Sequence, residues 1–139
     1  MRSKFERRLA DSLEERGIPY GYETLQLEYY TKVRGGVCES CGEHKEIYQR
    51  HWYTPDFIIR HGSDETGTPS NLIVEAKGRF TASDRAKMKA VKEAHPELDI
   101  RMVFMGNNKV HKNSDMRYGD WCDKYGFPWT LKEIPDGWI

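Results

Sequence analysis

The sequence predicts a mixed α/β domain in which a central β-sheet is flanked by helices. Two kinds of apolar periodicity and their order along the chain predict it: helical spacing near both ends and in the middle, period-two or continuous apolar runs between, arranged as helix, three strands, helix, strand, helix. Phe5, Leu9 and Leu13 recur every four residues between Ser3, which can cap a helix, and Gly17, which can end one, so residues 3–16 read as a short amphipathic helix. Tyr22 to Tyr30 alternates Leu25, Leu27 and Tyr29 with Gln26 and Glu28, the pattern of a half-buried strand. Residues 31–50 break that pattern with Gly35-Gly36 and Cys38-x-x-Cys41 and read as an arm inserted into a single domain of residues 1–139.

Tyr53 to Arg60 and Asn71 to Lys77 are the next strands, joined as a hairpin by a Gly-, Pro- and Ser-rich turn over 61–70. Thr81 and Asp84 have capping-box spacing and start a helix that runs to about Ala94, with Met88 and Val91 inward and His95-Pro96 as its stop. Asp99 to Phe104 follows as a strand with Ile100, Met102 and Phe104 on one face. The last helix is expected around Asp115 to Tyr125, ending at Gly126.

Length and composition bound the function. A chain of 139 residues suits one core, and 37% apolar residues with a mean hydropathy of −0.83 make that core modest. Basic and acidic residues both number 22, so no overall positive field announces nucleic acid. Locally the balance differs: between Glu75 and Lys92, six basic residues (Lys77, Arg79, Arg85, Lys87, Lys89, Lys92) face only Glu75 and Asp84, a net +4 able to contact phosphates. The charged N-terminus does not read as a signal peptide, and no run of about 18 apolar residues exists, so a soluble intracellular protein is expected. Three cysteines do not make a secreted disulfide framework.

The chemistry concentrates at the hairpin. Asp56 begins one strand and Glu75 ends the next, which brings a carboxylate from each to the same end of the sheet. Alternation sends Glu75 and Lys77 to one face, about 6.6 Å apart along the strand, and Ala76 to the other. Two carboxylates are hard oxygen ligands of the kind that Mg2+ and Mn2+ prefer, and a neighbouring lysine can orient water or stabilise phosphate charge. Phosphodiester hydrolysis needs these parts. Either piece alone reads more readily as a turn or a solvated ion pair; their ordered combination, followed by a basic helix, favours catalysis by Asp56, Glu75 and Lys77.

These residues match the PD-(D/E)xK nuclease pattern. The chain resembles the phage endonuclease I family of Holliday-junction resolvases in Arg2-Ser-Lys-Phe-Glu6, His51-Trp-Tyr-Thr-Pro-Asp-Phe57, Val74-Glu-Ala-Lys-Gly78, Ser83-Asp-Arg85, His95-Pro-Glu-Leu-Asp-Ile-Arg-Met-Val-Phe104, Tyr118-Gly-Asp-Trp-Cys122 and Ile134-Pro-Asp-Gly-Trp-Ile139. The resemblance covers nearly everything except 31–50. It implies a PD-(D/E)xK nuclease-like core, Asp56 and Glu75 as ligands of Mg2+ or Mn2+, Glu6 at a second metal position, the Ala76 carbonyl as a further ligand, and Lys77 beside the scissile phosphate. It also implies an intertwined homodimer with an exchanged first helix, so that Glu6 of one chain joins Asp56, Glu75 and Lys77 of the other. Ser3-x-x-Glu6 is itself a capping box, and without the resemblance Glu6 reads as a cap.

The function so implied is a structure-selective endodeoxyribonuclease that resolves four-way and other branched DNA, in the cytoplasm of an infected bacterium if the chain is phage-encoded. The alternatives are a duplex-cutting nuclease of restriction or transposition type and a non-catalytic branched-DNA-binding module. Some relatives carry basic terminal tails that this chain lacks, so DNA affinity is expected to rest on Arg79, Arg85, Lys87 and Lys89, together with Lys109, Lys112 and Arg117, and to fall with salt. Cys38 and Cys41 resemble a zinc-knuckle turn and could hold structural Zn2+, with two cysteines from each of two arms completing the ligand set. Cys122 suits a small buried side chain. Trp52, Tyr53, Trp121, Trp129 and Trp138 are expected to pack rather than to stack on bases.

Overall fold

The computed structural model describes residues 3–33, 47–63 and 69–139. Helix α1 (Lys4–Glu15) starts where Ser3 Oγ accepts the Glu6 N–H at 3.1 Å, and its turn closes at Gly17 with φ +68°. Phe5, Leu9 and Leu13 are all buried, as the four-residue spacing requires.

The strand expected over 22–30 is two. β1 (Tyr20–Tyr22) pairs antiparallel with β4 (Phe57–Ser63), whereas β2 (Leu27–Val33) pairs antiparallel with β3 (Ile47–Tyr53) in a separate two-stranded ribbon. The strand expected over 53–60 breaks at the same level. Pro55 has no N–H for a ladder, and Glu23 adopts φ +52°, so neither side continues. Four residues, 23–26, stand opposite three, 54–56, a bulge-like irregularity of the sort that bends a strand pair and re-aims its side chains. The ribbon also carries strand into both ends of the arm expected over 31–50. Leu25 falls in the break and is exposed, not inward as alternation suggested.

β5 (Pro69–Lys77) is the centre of the main sheet, which β6 (Asp99–Phe104) and β7 (Trp129–Leu131) complete in the order β1-β4-β5-β6-β7. It meets β4 in the antiparallel hairpin that the sequence predicts, and both strands run further into 61–70 than the turn signals implied. β6 (Asp99–Phe104) has the predicted bounds and lies parallel to β5 across α2 (Ala82–Ala94). The capping box is present: Thr81 Oγ1 accepts from Asp84 N, and Asp84 Oδ2 accepts from Thr81 N. α3 (Tyr118–Tyr125) starts later than expected, because 115–117 belong to a loop in which Val110 N–H donates to Met116 O and Lys109 bridges Arg117. β7 (Trp129–Leu131), parallel to β6, was not foreseen; three residues are too short for a period to register.

Alternation in β5 sorts the core into two layers. Leu72, Val74 and Ala76 pack with Phe57, Ile59 and α1, whereas Ile73 faces Met88 and Val91 of α2 and Trp121 of α3. On β6, Ile100, Met102 and Phe104 share the α2–α3 side, as predicted, and Val103 takes the α1 side. The sheet is thus mixed and covered on both faces. Truncating a fully buried side chain such as Leu13 is expected to cost about 2–5 kcal/mol.

Candidate active site

The break between ribbon and sheet is where the polar groups gather. Glu23 N–H donates to Asp56 O at 3.1 Å across it, which holds residues 23 and 56 face to face. Glu6 comes from the first turn of α1. The carboxylates of Glu6, Glu23 and Asp56 each offer an oxygen lying within 4.8 Å of the others. Glu6 is buried and its Oε2 accepts from Tyr22 Oη, so its side chain turns toward β1. Ser3 Oγ caps the Glu6 amide, whereas the Glu6 side chain, which the capping-box reading turned back onto the helix start, is bonded to Tyr22 and joins the cluster.

On the neighbouring strand, register places Val74 opposite Phe57, and therefore Glu75 beside Asp56, as the hairpin argument anticipated. Glu75 is 2% exposed, and its Oε1 accepts from Tyr53 Oη at 2.5 Å and from Asp56 N at 3.1 Å. Asp56 Oδ2 in turn accepts from Ala76 N at 3.0 Å. Lys77 shares the face of Glu75, its Nζ 3.8 Å from Glu75 Oε2 and 3.8 Å from Asp84 Oδ1. The structure therefore brings together all four expected residues, Glu6, Asp56, Glu75 and Lys77, but the close carboxylate triad is completed by Glu23 and not by Glu75. The Ala76 backbone reaches the site as well, its N–H bonded to Asp56.

Electrostatics make the site costly without a cation. Burial, with the nearby Asp56 charge, pushes the Glu75 carboxyl up to about 8, against the lowering pull of Lys77 and the donors on Oε1. Burial also raises Asp56, reinforced by Glu6 and Glu23 and opposed by the Ala76 N–H and Lys77. Tyr53 is raised well above its ordinary value by burial and by Glu75, so it remains a donor. Several carboxylates crowded in a half-dry niche, all hard oxygen donors, fit a divalent ion such as Mg2+ or Mn2+.

The basic residues after Lys77 separate by role. Arg79 is exposed, but Arg85 donates to the carbonyls of Phe80 at 2.7 Å and Val110 at 3.5 Å, a structural use that the charge count did not anticipate. Lys87 covers the Tyr53 ring, Lys89 the Tyr125 ring, and Lys92 donates to Gly126 O at 2.6 Å. Tyr53 and Trp121 are buried as expected; Trp52 is instead 51% exposed, because the ribbon turns its face away from the sheet. Cys122 is buried, and burial pushes its thiol up to about 12. Cys38 and Cys41 lie outside the described residues.

Glu23 is the residue that sequence reasoning missed. By alternation Glu23 falls on the side of Leu25, Leu27 and Tyr29, an acidic residue on the apolar face of the expected strand, and nothing local marks it as the residue where the strand breaks.

Fold and site together define an α/β protein with an acidic, lysine-flanked site at the end of its sheet. The sequence matches the phage endonuclease I family over residues 1–139, and the chain belongs to that family; it is accordingly a nuclease. It is 34% identical over 139 residues to Endonuclease I of Escherichia phage T7, covering 99% of this chain and 77% of that one. It is 35% identical over 135 residues to Endodeoxyribonuclease 1 of Enterobacteria phage T3, covering 96% and 73%. Among the described residues no helix is long and apolar enough to cross a membrane.

Proposed function

We propose that the protein is a structure-selective endodeoxyribonuclease that resolves four-way and other branched DNA by Mg2+- or Mn2+-dependent phosphodiester hydrolysis, acting in the cytoplasm of the infected host. The observation that carries this reading is the meeting of Glu6, Glu23 and Asp56 within 4.8 Å, with Asp56 bonded to Glu75 and Glu75 paired with Lys77. Glu6, Glu23 and Asp56, with Glu75 and the Ala76 carbonyl as further donors, would hold the ion. When bound, it supplies Lewis acidity toward the phosphate and makes water a better nucleophile. Lys77 offers a cation to the phosphate oxygens, and the charge of Glu75, whose Oε2 lies 3.8 Å from it, holds it there. Asp56, pinned through Oδ2 by the Ala76 N–H, fixes the distance between the acidic triad and the Glu75–Lys77 pair.

Two such sites in a homodimer would cut paired strands of a junction. The single chain completes the triad with its own Glu6; an exchange of α1 between two copies would rebuild the same contacts with Glu6 of the partner subunit. Arg79, Arg85, Lys87 and Lys89 remain candidates for phosphate contact, Arg85 through the nitrogens that its carbonyl bonds leave over, and Cys38 and Cys41 for structural Zn2+. Incubating the protein with a four-way junction and Mg2+, beside Asp56→Asn and Glu75→Gln, tests substrate and site together. Cutting of the junction in preference to its linear arms by the unaltered chain alone is expected; equal cutting by all three proteins overturns the site.

A further inference from the structure

Glu75 is a buried carboxylate at a catalytic edge, and its orientation is set by groups that the nuclease motif does not include. Alternation along β3 turns Trp52 outward and Tyr53 inward, where Tyr53 is 1% exposed within the α2–α3 core. A phenol so placed has one proton to donate, and it goes to Glu75 Oε1 at 2.5 Å. The Asp56 amide donates to the same oxygen at 3.1 Å. Oε1 is thus held by two donors, one from the core and one from the backbone of the neighbouring carboxylate. The oxygen left for chemistry is Oε2, on the Lys77 side.

We propose that Tyr53 is a positioning residue that locks Glu75 through Oε1, so that Glu75 offers a single oxygen, Oε2, to the divalent ion. The inference rests on the metal-dependent reading above. A carboxylate free to rotate could present both oxygens or neither. One clamped at Oε1 has its ligand direction chosen before the ion arrives, and loss of such an outer partner typically weakens metal binding about 10–100-fold. The Tyr53 ring is anchored independently of this bond, packed in the core and covered by Lys87 Nζ 5.4 Å from its centroid, so removing the hydroxyl leaves the packing in place.

The test is a double-mutant cycle read as Mn2+ affinity by calorimetry, without DNA, on the unaltered chain, Tyr53→Phe, Glu75→Gln and the double variant. Tyr53→Phe is expected to weaken Mn2+ about tenfold with an unchanged circular-dichroism spectrum, and to have little effect once Glu75 is Gln. Unchanged Mn2+ affinity in Tyr53→Phe, or an equal loss in the Glu75→Gln background, overturns the proposal while leaving the metal-dependent reading intact. Absence of Mn2+ binding by the unaltered chain overturns both. If Tyr53→Phe does not fold, tyrosine-13Cζ NMR of the unaltered chain replaces it: the Tyr53 signal is expected to shift along the Mg2+ binding isotherm, and a signal indifferent to Mg2+ overturns the proposal.

Discussion

The ammonium of Lys77 stands 3.8 Å from Asp84 Oδ1, while the other oxygen of Asp84 caps α2 by accepting the Thr81 N–H. One carboxylate therefore ties the first turn of a helix to a lysine at the end of β5. Asp84→Asn keeps an acceptor for the cap and removes the charge, whereas Thr81→Ala removes the capping hydroxyl and leaves the charge. A half-buried pair of this kind is worth up to about 1 kcal/mol, roughly fivefold in rate. Junction cleavage is expected to fall a few-fold in Asp84→Asn but not in Thr81→Ala, whose cost appears as about 1 kcal/mol of stability. Equal cleavage by both variants would remove Asp84 from the account.

Glu23 sits at φ +52° with its amide bound to Asp56 O, a conformation that costs a side-chain-bearing residue about 1–2 kcal/mol. Its carboxylate also crowds Glu6 and Asp56. Glu23→Gly should relieve both, so the metal-free protein is expected to melt at the same temperature or higher while cleavage drops at least about tenfold, a trade common at functional sites. A Glu23→Gly protein that cleaves at full rate would show the triad to be incidental.

The Glu75 carboxyl, raised to about 8 from 4.5, makes a signed statement about metal-free protein. Between those values the folded chain holds a proton that the unfolded chain has released. The resulting stability is complete below about 4.5 and is lost as pH rises through about 8, and the raised Asp56 acts in the same direction. In EDTA, Tm is expected to fall between pH 5.5 and 8.5, less so in Glu75→Gln, and Mg2+ is expected to restore it at the upper pH. Parallel Tm profiles for the two proteins would contradict this.

Exchange of α1 has a direct complementation test. Mixed dimers of Glu6→Gln and Asp56→Asn chains contain one intact site if Glu6 acts across the dimer and none if it acts within its own chain. Nicking of one junction strand by coexpressed mixed dimers, with each parent inactive, is the expected result. Inactivity of every combination would favour sites closed within each chain.

Zinc content separates the three cysteines. Cys122 is buried with its thiol pushed up to about 12, so it should neither bind zinc nor react with thiol reagents before unfolding. Zinc that copurifies with the protein is expected to disappear in Cys38→Ser and to persist in Cys122→Ser.

What was legible in the sequence was local. The Ser3 cap, the Thr81–Asp84 capping box, the bounds of β6 and the inward set Ile100, Met102 and Phe104 all follow from residues a few positions apart. So does the placement of Glu75 and Lys77 on one face, because a strand alternates whatever surrounds it. Breaks were harder. Leu25 and Leu27 look like one strand face, yet the chain leaves the sheet between β1 and β2, since Glu23 is held in its left-handed conformation by the amide bond to Asp56, a partner 33 positions away.

The acidic, lysine-flanked character of the site around Asp56, Glu75 and Lys77 was thus determined by sequence alone, through the hairpin that joins their strands. Only the tertiary structure decided that Glu23 completes the triad with Glu6 and Asp56, that Tyr53 holds Glu75, and that Asp84 steadies Lys77. The physical reason is that periodicity states which face a side chain takes, whereas convergence of a helix, a strand break and a core phenol depends on how the layers pack around β5.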